Sequence, residues 1–348
     1  MRKIKRKSYG VVVIAMILIL VVGIAIASTT GSANISPFDV FRIVYSHIPH
    51  FGKTVDISDI SSASKSIIWN VRLPRVLLGV LVGTSLSVAG GAFQGLLKNP
   101  MADPFILGIS SGAALGATIA IIFRLDMTFM GFSGISVAAF IGALIAVFAV
   151  YNIGKVKNKV PVTTLLLAGV AVGNFLTAVM SFLMVVYSRD MTKIIYWTLG
   201  NLSGKGWEPV KMIFVPVLIG VIVILYLSKD INIMLTGEES AKSLGVNVER
   251  TKIYVLLAGT FLTSIVVSVS GIIGFVGLII PHIIRLFTGP DHRILLPVSA
   301  LAGAVFMIFA DTVARVVISP VEIPVGIITA LFGGPFFVFL LKRKKKSL

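Results

Sequence analysis

The sequence predicts an all-α, polytopic membrane protein with ten transmembrane helices in a single domain, residues 1–348. Of its 348 residues, 56% are hydrophobic and only 13% are charged, and the mean hydropathy is +1.00. Soluble domains do not have this composition. The apolar residues form long uncharged stretches, most of them about 20 residues long, the length that a helix needs to cross a bilayer. Because a helix satisfies its own backbone hydrogen bonds, a helical bundle is the structure expected in lipid.

The spans follow from these stretches in chain order. The first, Tyr9–Ala27, has the basic start of a signal peptide, but its apolar run is longer than a usual signal core, so we expect a retained helix. The longest stretch, Ile253–Ile284, exceeds one span and breaks at Ser268, Ser270 and Gly271 into two. The predicted spans are 9–28, 76–97, 105–123, 132–153, 160–188, 209–228, 253–269, 272–287, 294–314 and 323–341.

The basic residues predict the orientation of the chain. With ten spans and both termini in the cytoplasm, the inside segments carry 20 of the 31 basic residues, as the positive-inside rule requires. These are Arg2, Lys3, Lys5, Arg6, Lys7, Lys98, Lys155, Lys157, Lys159, Lys229, Lys242, Arg250, Lys252, Arg285, Arg293 and Lys342–Lys346. They lie at the ends of spans, so the net charge of +17 indicates topology and not nucleic-acid binding.

Several kinds of chemistry have no motif in the chain. Gly204-Lys205 lacks the other residues of a P-loop, so ATP must be bound by another subunit if it is used. There is no cysteine, which excludes disulfides and thiolate metal sites. His47 and His50 are close together but lie in a predicted outside loop, and no metal site is expected. We therefore predict neither an enzyme nor a cofactor.

Charged residues inside spans are rare here. Asp311 lies four residues before Arg315, so that the two can pair on one helical face near the outer end of a span. An ion-coupled secondary transporter normally needs more buried carboxylates than this one. The sequence therefore favours transport that is powered from elsewhere, with the secondary transporter as the alternative.

Three polar segments interrupt the apolar sequence. Val71–Arg75 places Arg72 and Arg75 in a predicted outside position, like that of Arg315, where exposed arginines can pair with a partner's carboxylates or simply anchor the helix at the interface. Leu235–Lys252 is a mixed-charge inside segment with a break at Gly245, either a solvated connector or a docking element. Lys98–Ala117 combines a proline-containing turn with a run of small residues.

Small residues recur four apart, which places them on one helical face and allows close packing of helices. In the third span this face would also let the helix slide. The pairs and triplets are Gly79/Gly83, Gly91/Gly95, Gly108/Gly112/Gly116 and Gly169/Gly173.

The chain resembles the FecCD-type permease subunits of ABC importers for iron chelates, haem and cobalamin, from about Pro37 to Leu341. The segments that carry the resemblance are Arg72–Ala117, Tyr196–Trp207, Gly237–Arg250, Gly271–Arg293 and Glu322–Pro335. It implies the type II importer fold and alternating access of the pathway. It also implies four partners besides membrane lipid: a second permease subunit, identical or a paralogue, two cytoplasmic ATP-binding subunits and an extracytoplasmic substrate-binding protein.

The resemblance also implies roles for individual residues. Arg72, Arg75 and Arg315 match positions that receive glutamates of the binding protein. Residues 236–250 match a pair of short coupling helices that dock on the ATPases, with Gly237, Glu238, Glu239, Ala241, Leu244, Gly245 and Asn247 as the coupling residues. Asn99, Met101, Val162 and Thr163 match the cytoplasmic gate. Among the possible cargoes the resemblance favours a ferric siderophore, with haem and cobalamin as alternatives.

Overall fold

The computed structural model describes residues 9–31, 33, 35–48, 52–125, 127–129, 131–157 and 159–345. The basic residues 2–7, Lys346 and His50 lie outside them. Apart from the two-residue strands β1 (Thr128–Phe129) and β2 (Phe132–Ser133), which pair antiparallel, the regular structure described is helical. The α-helices are α1 (Tyr9–Thr29), α2 (Pro37–Ser46), α3 (Ser62–Ser66), α4 (Leu73–Leu96), α5 (Ile109–Ile122), α6 (Gly134–Gly154), α7 (Val162–Val186), α8 (Met191–Thr198), α9 (Trp207–Tyr226), α10 (Ser228–Met234), α11 (Glu238–Ser243), α12 (Val248–Ser270), α13 (Val276–Thr288), α14 (His292–Val316) and α15 (Val325–Lys345).

Ten apolar helices in the described residues overlap the ten predicted spans, with ends that differ by a few residues. Seven are long and apolar enough to cross a membrane. They are α1, α6, α7, α9, α12, α14 and the continuous helix Ser62–Leu96, of which α4 is the main part. The other three, α5, α13 and α15, have shorter apolar stretches. The predicted break in the longest stretch is confirmed, because α12 ends at Ser270 and Gly271 takes the positive φ of 71° that a side chain disfavours. The following helix begins at Val276 instead of the predicted residue 272.

Helix α4 lies at the centre of the bundle. Its side chains are almost all buried, and it packs against α9, α12, α13 and α14. Gly83 of α4 faces Gly303 of α14 so closely that a Cβ atom on Gly83 would collide with the Gly303 carbonyl oxygen. The close packing predicted from small residues is thus confirmed at this crossing.

The glycine face of the third predicted span is only partly helical. Gly112 and Gly116 pack directly on the backbone of α6. Gly108 instead precedes α5 with a φ of 78°, where it ends the short 3₁₀ turn Pro104–Leu107. The predicted face therefore has two glycines, and Gly108 serves the turn between helices.

Two helices remain at the periphery of the chain. In α1 and α7 few side chains are buried, and the exposed ones include large apolar residues such as Phe175, Phe182 and Val185. Apolar helices exposed in this way need lipid or another subunit to cover them.

Candidate functional site

The two ends of the bundle carry the polar groups singled out in the sequence. We name the end with Arg72, Arg75 and Arg315 the arginine end. The opposite end, where α10 and α11 lie, we name the short-helix end. Helix α4 connects them, because Arg75 lies in its first turn and Gly95, near its last residue, packs against Ile231 of α10.

The three arginines are buried, with relative exposures of 5% for Arg72, 5% for Arg75 and 7% for Arg315. The expectation of exposed arginines is therefore wrong. The physical reason is that buried acceptors, supplied by segments far away in the sequence, already surround the guanidinium groups. A docking role for the arginines stays a prediction.

Asp311 joins two of these arginines. Arg75 Nε donates to Asp311 Oδ1 at 2.9 Å, and Arg315 Nε lies 3.2 Å from Asp311 Oδ2. This confirms that Asp311 and Arg315 pair across one helical turn. Arg75 Nη1 also donates to Glu322 Oε2 at 2.8 Å, and the Glu322 side chain is 40% exposed. The cluster therefore holds three cations against two carboxylates, one of which reaches solvent.

Arg72 and Arg315 hold the end of α1 through its carbonyl oxygens. Arg72 Nη1 donates to Ser28 O at 3.2 Å and to Thr29 O at 2.8 Å. Arg315 donates to Thr30 O and Ala27 O, both at 3.0 Å. The last carbonyls of a helix have no partner within it, and cations are favoured at that end. The arginines thus fix α1 onto α4 and α14.

A small cavity of about 200 Å³ opens onto this cluster. Its lining includes all three arginines together with Gly31, Val71 and Glu322. A side chain entering this cavity would meet the arginine face of the cluster.

The turn after α4 lies at the short-helix end. Lys98 adopts a positive φ of 49°, and Asn99 Oδ1 accepts a hydrogen bond from the Met101 backbone N–H at 2.9 Å. Asp103 Oδ1 accepts from Phe105 N–H at 2.8 Å, which caps the 3₁₀ turn. Because Pro100 and Pro104 restrict the backbone as well, the turn is stiff.

The predicted gate residues lie on elements that touch. Asn99 and Met101 belong to the turn after α4, while Val162 and Thr163 begin α7. Helix α7 packs on the 3₁₀ turn, where a Cβ on Gly169 would collide with the Ile106 carbonyl oxygen. Asn99 and Thr163 are exposed, and the gate assignment stays a prediction.

The predicted coupling segment contains one short helix and not two. Helix α11 follows Gly237, whose φ is 126°, and Ala241 is its buried anchor while Leu244 is exposed. The break at Gly245 is present, with a φ of 85°. Beyond it Asn247 caps the long helix α12 by accepting from Arg250 N–H at 3.1 Å. The residues after Gly245 continue into α12, and a different short helix, α10, precedes the predicted segment. The coupling role stays a prediction.

Sequence reasoning missed the residues that anchor α10. Asn232 donates to Asp291 Oδ1 at 2.7 Å and accepts from the His292 backbone N–H at 2.8 Å. Hydrogen bonding from the Arg293 side chain lowers the pKa of Asp291 to about 2. The signal available in the sequence was Asp291 as the N-cap of α14. These contacts attach the short helix to the start of α14.

The chain matches the FecCD transport family over residues 18–343. The chain belongs to this family. A solved structure described as "an inward-facing conformation of a putative metal-chelate type ABC transporter" aligns with a TM-score of 0.80 at 31% identity and covers 95% of this chain and 98% of the other. The protein therefore has the fold of a type II ABC importer permease.

Two relatives of this FecCD member are named for the compound that their system imports. The cobalamin import system permease protein of Halobacterium salinarum is 46% identical over 89% of this chain and 80% of the relative. The Fe(3+)-citrate import system permease protein of Bacillus subtilis is 35% identical over 99% of this chain and 98% of the relative. The two cargoes differ in chemistry, so the fold does not by itself select one.

Proposed function

We propose that this FecCD permease carries a metal chelate into the cytoplasm by alternating access, driven by separate ATPase subunits. The family match over residues 18–343 is the observation that carries the proposal. In the importer complex the chain pairs with a second permease subunit, identical or a paralogue, which covers part of its exposed apolar surface. Both termini lie in the cytoplasm, so the arginine end is external.

At the arginine end, the cluster receives an acidic side chain of the binding protein. Burial of the arginines is compatible with docking because the cluster has more cations than carboxylates and a cavity leads to it. Glu322 is the half-exposed partner of Arg75, and an incoming carboxylate can replace it. The resident acid thus occupies Nη1 of Arg75 when no binding protein is bound, while Nε stays paired with Asp311.

At the short-helix end, α11 docks on an ATPase subunit. The geometry supports this because Glu239 is exposed on a helix whose Ala241 is buried against the bundle, and Leu244, which follows the helix, is exposed as well. Glycines with positive φ precede and follow the helix, and α11 can then move as a unit. Movement of α11 and α10 opens or closes the gate at Asn99, Met101, Val162 and Thr163.

Two cargoes are candidates. A ferric siderophore is the expectation from the sequence, and a relative that imports Fe(3+)-citrate supports it. A corrinoid is the second candidate, because the 46% identical relative is described as importing cobalamin.

An uptake assay decides between the cargoes and tests the transport class. The whole complex in proteoliposomes would be offered radiolabelled ferric hydroxamate, hemin or cyanocobalamin, with ATP or the non-hydrolysable analogue AMP-PNP inside. ATP-dependent accumulation of one compound supports the proposal and names the cargo. Uptake driven by an ion gradient without ATP would instead establish the secondary transporter.

A further inference from the structure

Lys252 is a buried cation at the short-helix end. It lies in the first turns of α12, and only 6% of its side chain is exposed. Its ammonium contacts two carboxylates, Glu238 Oε1 of α11 at 2.9 Å and Glu249 Oε1 of α12 at 3.1 Å. A buried charge is tolerated only when it is paired, so Lys252 fixes the position of α11 relative to α12.

Glu249 extends this contact to a third element. Its other oxygen, Oε2, accepts a hydrogen bond from the Val160 backbone N–H at 3.2 Å. Val160 is buried, and Pro161 separates it from the first residue of α7. Because Pro161 restricts the backbone between Val160 and α7, a displacement of Val160 reaches the start of that helix. A continuous polar path therefore runs from α11 through Lys252 and Glu249 to α7.

We propose that Lys252 and Glu249 are positioning residues that transmit movement of α11 to the start of α7, where the predicted gate residues Val162 and Thr163 lie. The inference rests on the proposed function, since it assigns the path along which the ATPase subunits act on the pathway. When α11 moves, Lys252 either moves with Glu238 or leaves that carboxylate and remains buried with Glu249 alone. Separation from Glu238 is unfavourable because it leaves a buried charge with one partner fewer, so the movement of α11 is transmitted through Lys252 and Glu249 to α7.

A second ion pair on α11 supplies the matched control. Lys242 Nζ lies 2.9 Å from Glu239 Oε1, the same distance as in the Lys252–Glu238 pair. Both partners belong to α11 and are exposed, and the hydrogen bonds and the ion pair that their side chains make among the described residues stay within this helix. Loss of charge at Lys242 should leave the path to α7 intact.

Fluorescent probes can test this path without knowledge of the cargo. Because the chain has no cysteine, single cysteines at Ser243, the last residue of α11, and at Lys159, just before Val160, can carry an environment-sensitive dye. The labelled permease, assembled with its ATPase subunits in nanodiscs, would be exposed to ATP and vanadate. In the otherwise unsubstituted chain, both probes should respond.

Lys252→Met keeps the length of the aliphatic stem but removes the charge. We expect the probe at Ser243 to keep its response while the response at Lys159 falls about threefold or more, within the range by which single residues alter coupling. Lys252→Arg should restore the response at Lys159, and Lys242→Met should change neither probe.

Three results would overturn the inference. One is an undiminished response at Lys159 in Lys252→Met. Another is an equal loss at both probes in Lys252→Met and Lys252→Arg, which would mark a role in folding alone. The third is that the ATPase subunits bind the unsubstituted chain but neither probe responds to ATP and vanadate. Failure of the ATPase subunits to bind that chain would instead count against the proposed function itself, and this inference would fall with it.

Discussion

At the scale of single residues, the arginine end depends on one carboxylate. Asp311 contacts both Arg75 and Arg315 and is itself buried. Each arginine has further acceptors, but Asp311 is the negative charge that the two share. A buried cation that loses its counter-ion pays the cost of desolvation without compensation.

Asp311→Asn should therefore destabilise the protein by about 3–5 kcal/mol. Thermal unfolding in detergent would measure the loss as a lower Tm. Asp59→Asn is the control, because it removes the exposed acid of the ion pair between Arg42 and Asp59 and should change the Tm little. Equal effects of the two substitutions would show that Asp311 is not required to neutralise the buried arginines.

Glu322 should weaken docking of the binding protein at the arginine end. If the resident acid competes with the binding protein for Arg75, Glu322→Gln should tighten binding of that protein about fivefold, equivalent to about 1 kcal/mol. Surface plasmon resonance at fixed ionic strength would measure the Kd.

Glu208→Gln controls for the charge change, since Glu208 is an exposed acid at the start of α9 and is not a partner of Arg75. An unchanged or weaker affinity in Glu322→Gln would mean that Glu322 does not compete for Arg75.

At the scale of elements, the turn after α4 has an acid whose ionisation is unfavourable. Burial raises the pKa of Asp103 to about 6, although the hydrogen bond from Phe105 N–H opposes the shift. An unfolded aspartate has a pKa near 3.9. Between about pH 4 and 6 the folded state thus binds more protons, and the contribution of Asp103 to stability falls as the pH rises through this window.

Asp103→Asn should raise the Tm at pH 7.5, because Asn keeps the Oδ1 acceptor without the charge. The gain in the free energy of unfolding should be no more than about 3 kcal/mol. The gain should shrink as the pH falls towards 4. Asp291→Asn is expected to behave in the opposite way, since its pKa is lowered to about 2 and its charge stabilises the folded state above pH 4. A gain for Asp103→Asn that does not depend on pH would contradict the assignment.

The elements also show why prediction from the sequence stopped where it did. Hydropathy located the apolar helices to within a few residues, and the break at Gly271 followed from Ser268 and Ser270, because these are local signals. The burial of Arg315 could not be predicted in the same way, since its acceptors at Ala27 and Thr30 lie at the end of α1, 288 and 285 residues away in the sequence. The path through Lys252, Glu249 and Val160 likewise exists only after three elements have packed together.

At the scale of the whole molecule, α4 and α14 connect the two ends. Asp311 joins them at the arginine end, and at the other end His292 packs against Gly95 of α4 while its backbone donates to Asn232 of α10. Close packing at Gly83 and Gly303 leaves little room for one helix to shift against the other between these points. A partner bound at either end, as proposed, would thus act on a single unit, which the proposed alternating access requires.

This arrangement works only if the two ends lie on opposite sides of the membrane. Single cysteines in the cysteine-free chain test it: Ser58→Cys in the exposed segment before α3, and Ser243→Cys at the end of α11. A membrane-impermeant maleimide should label Ser58→Cys in intact cells, in which an outer membrane, if present, has been permeabilised. It should label Ser243→Cys only after the cytoplasmic membrane is opened, because basic residues concentrate at the short-helix end. If Ser243→Cys is labelled in intact cells, α11 lies outside the cytoplasm and cannot meet an ATPase there.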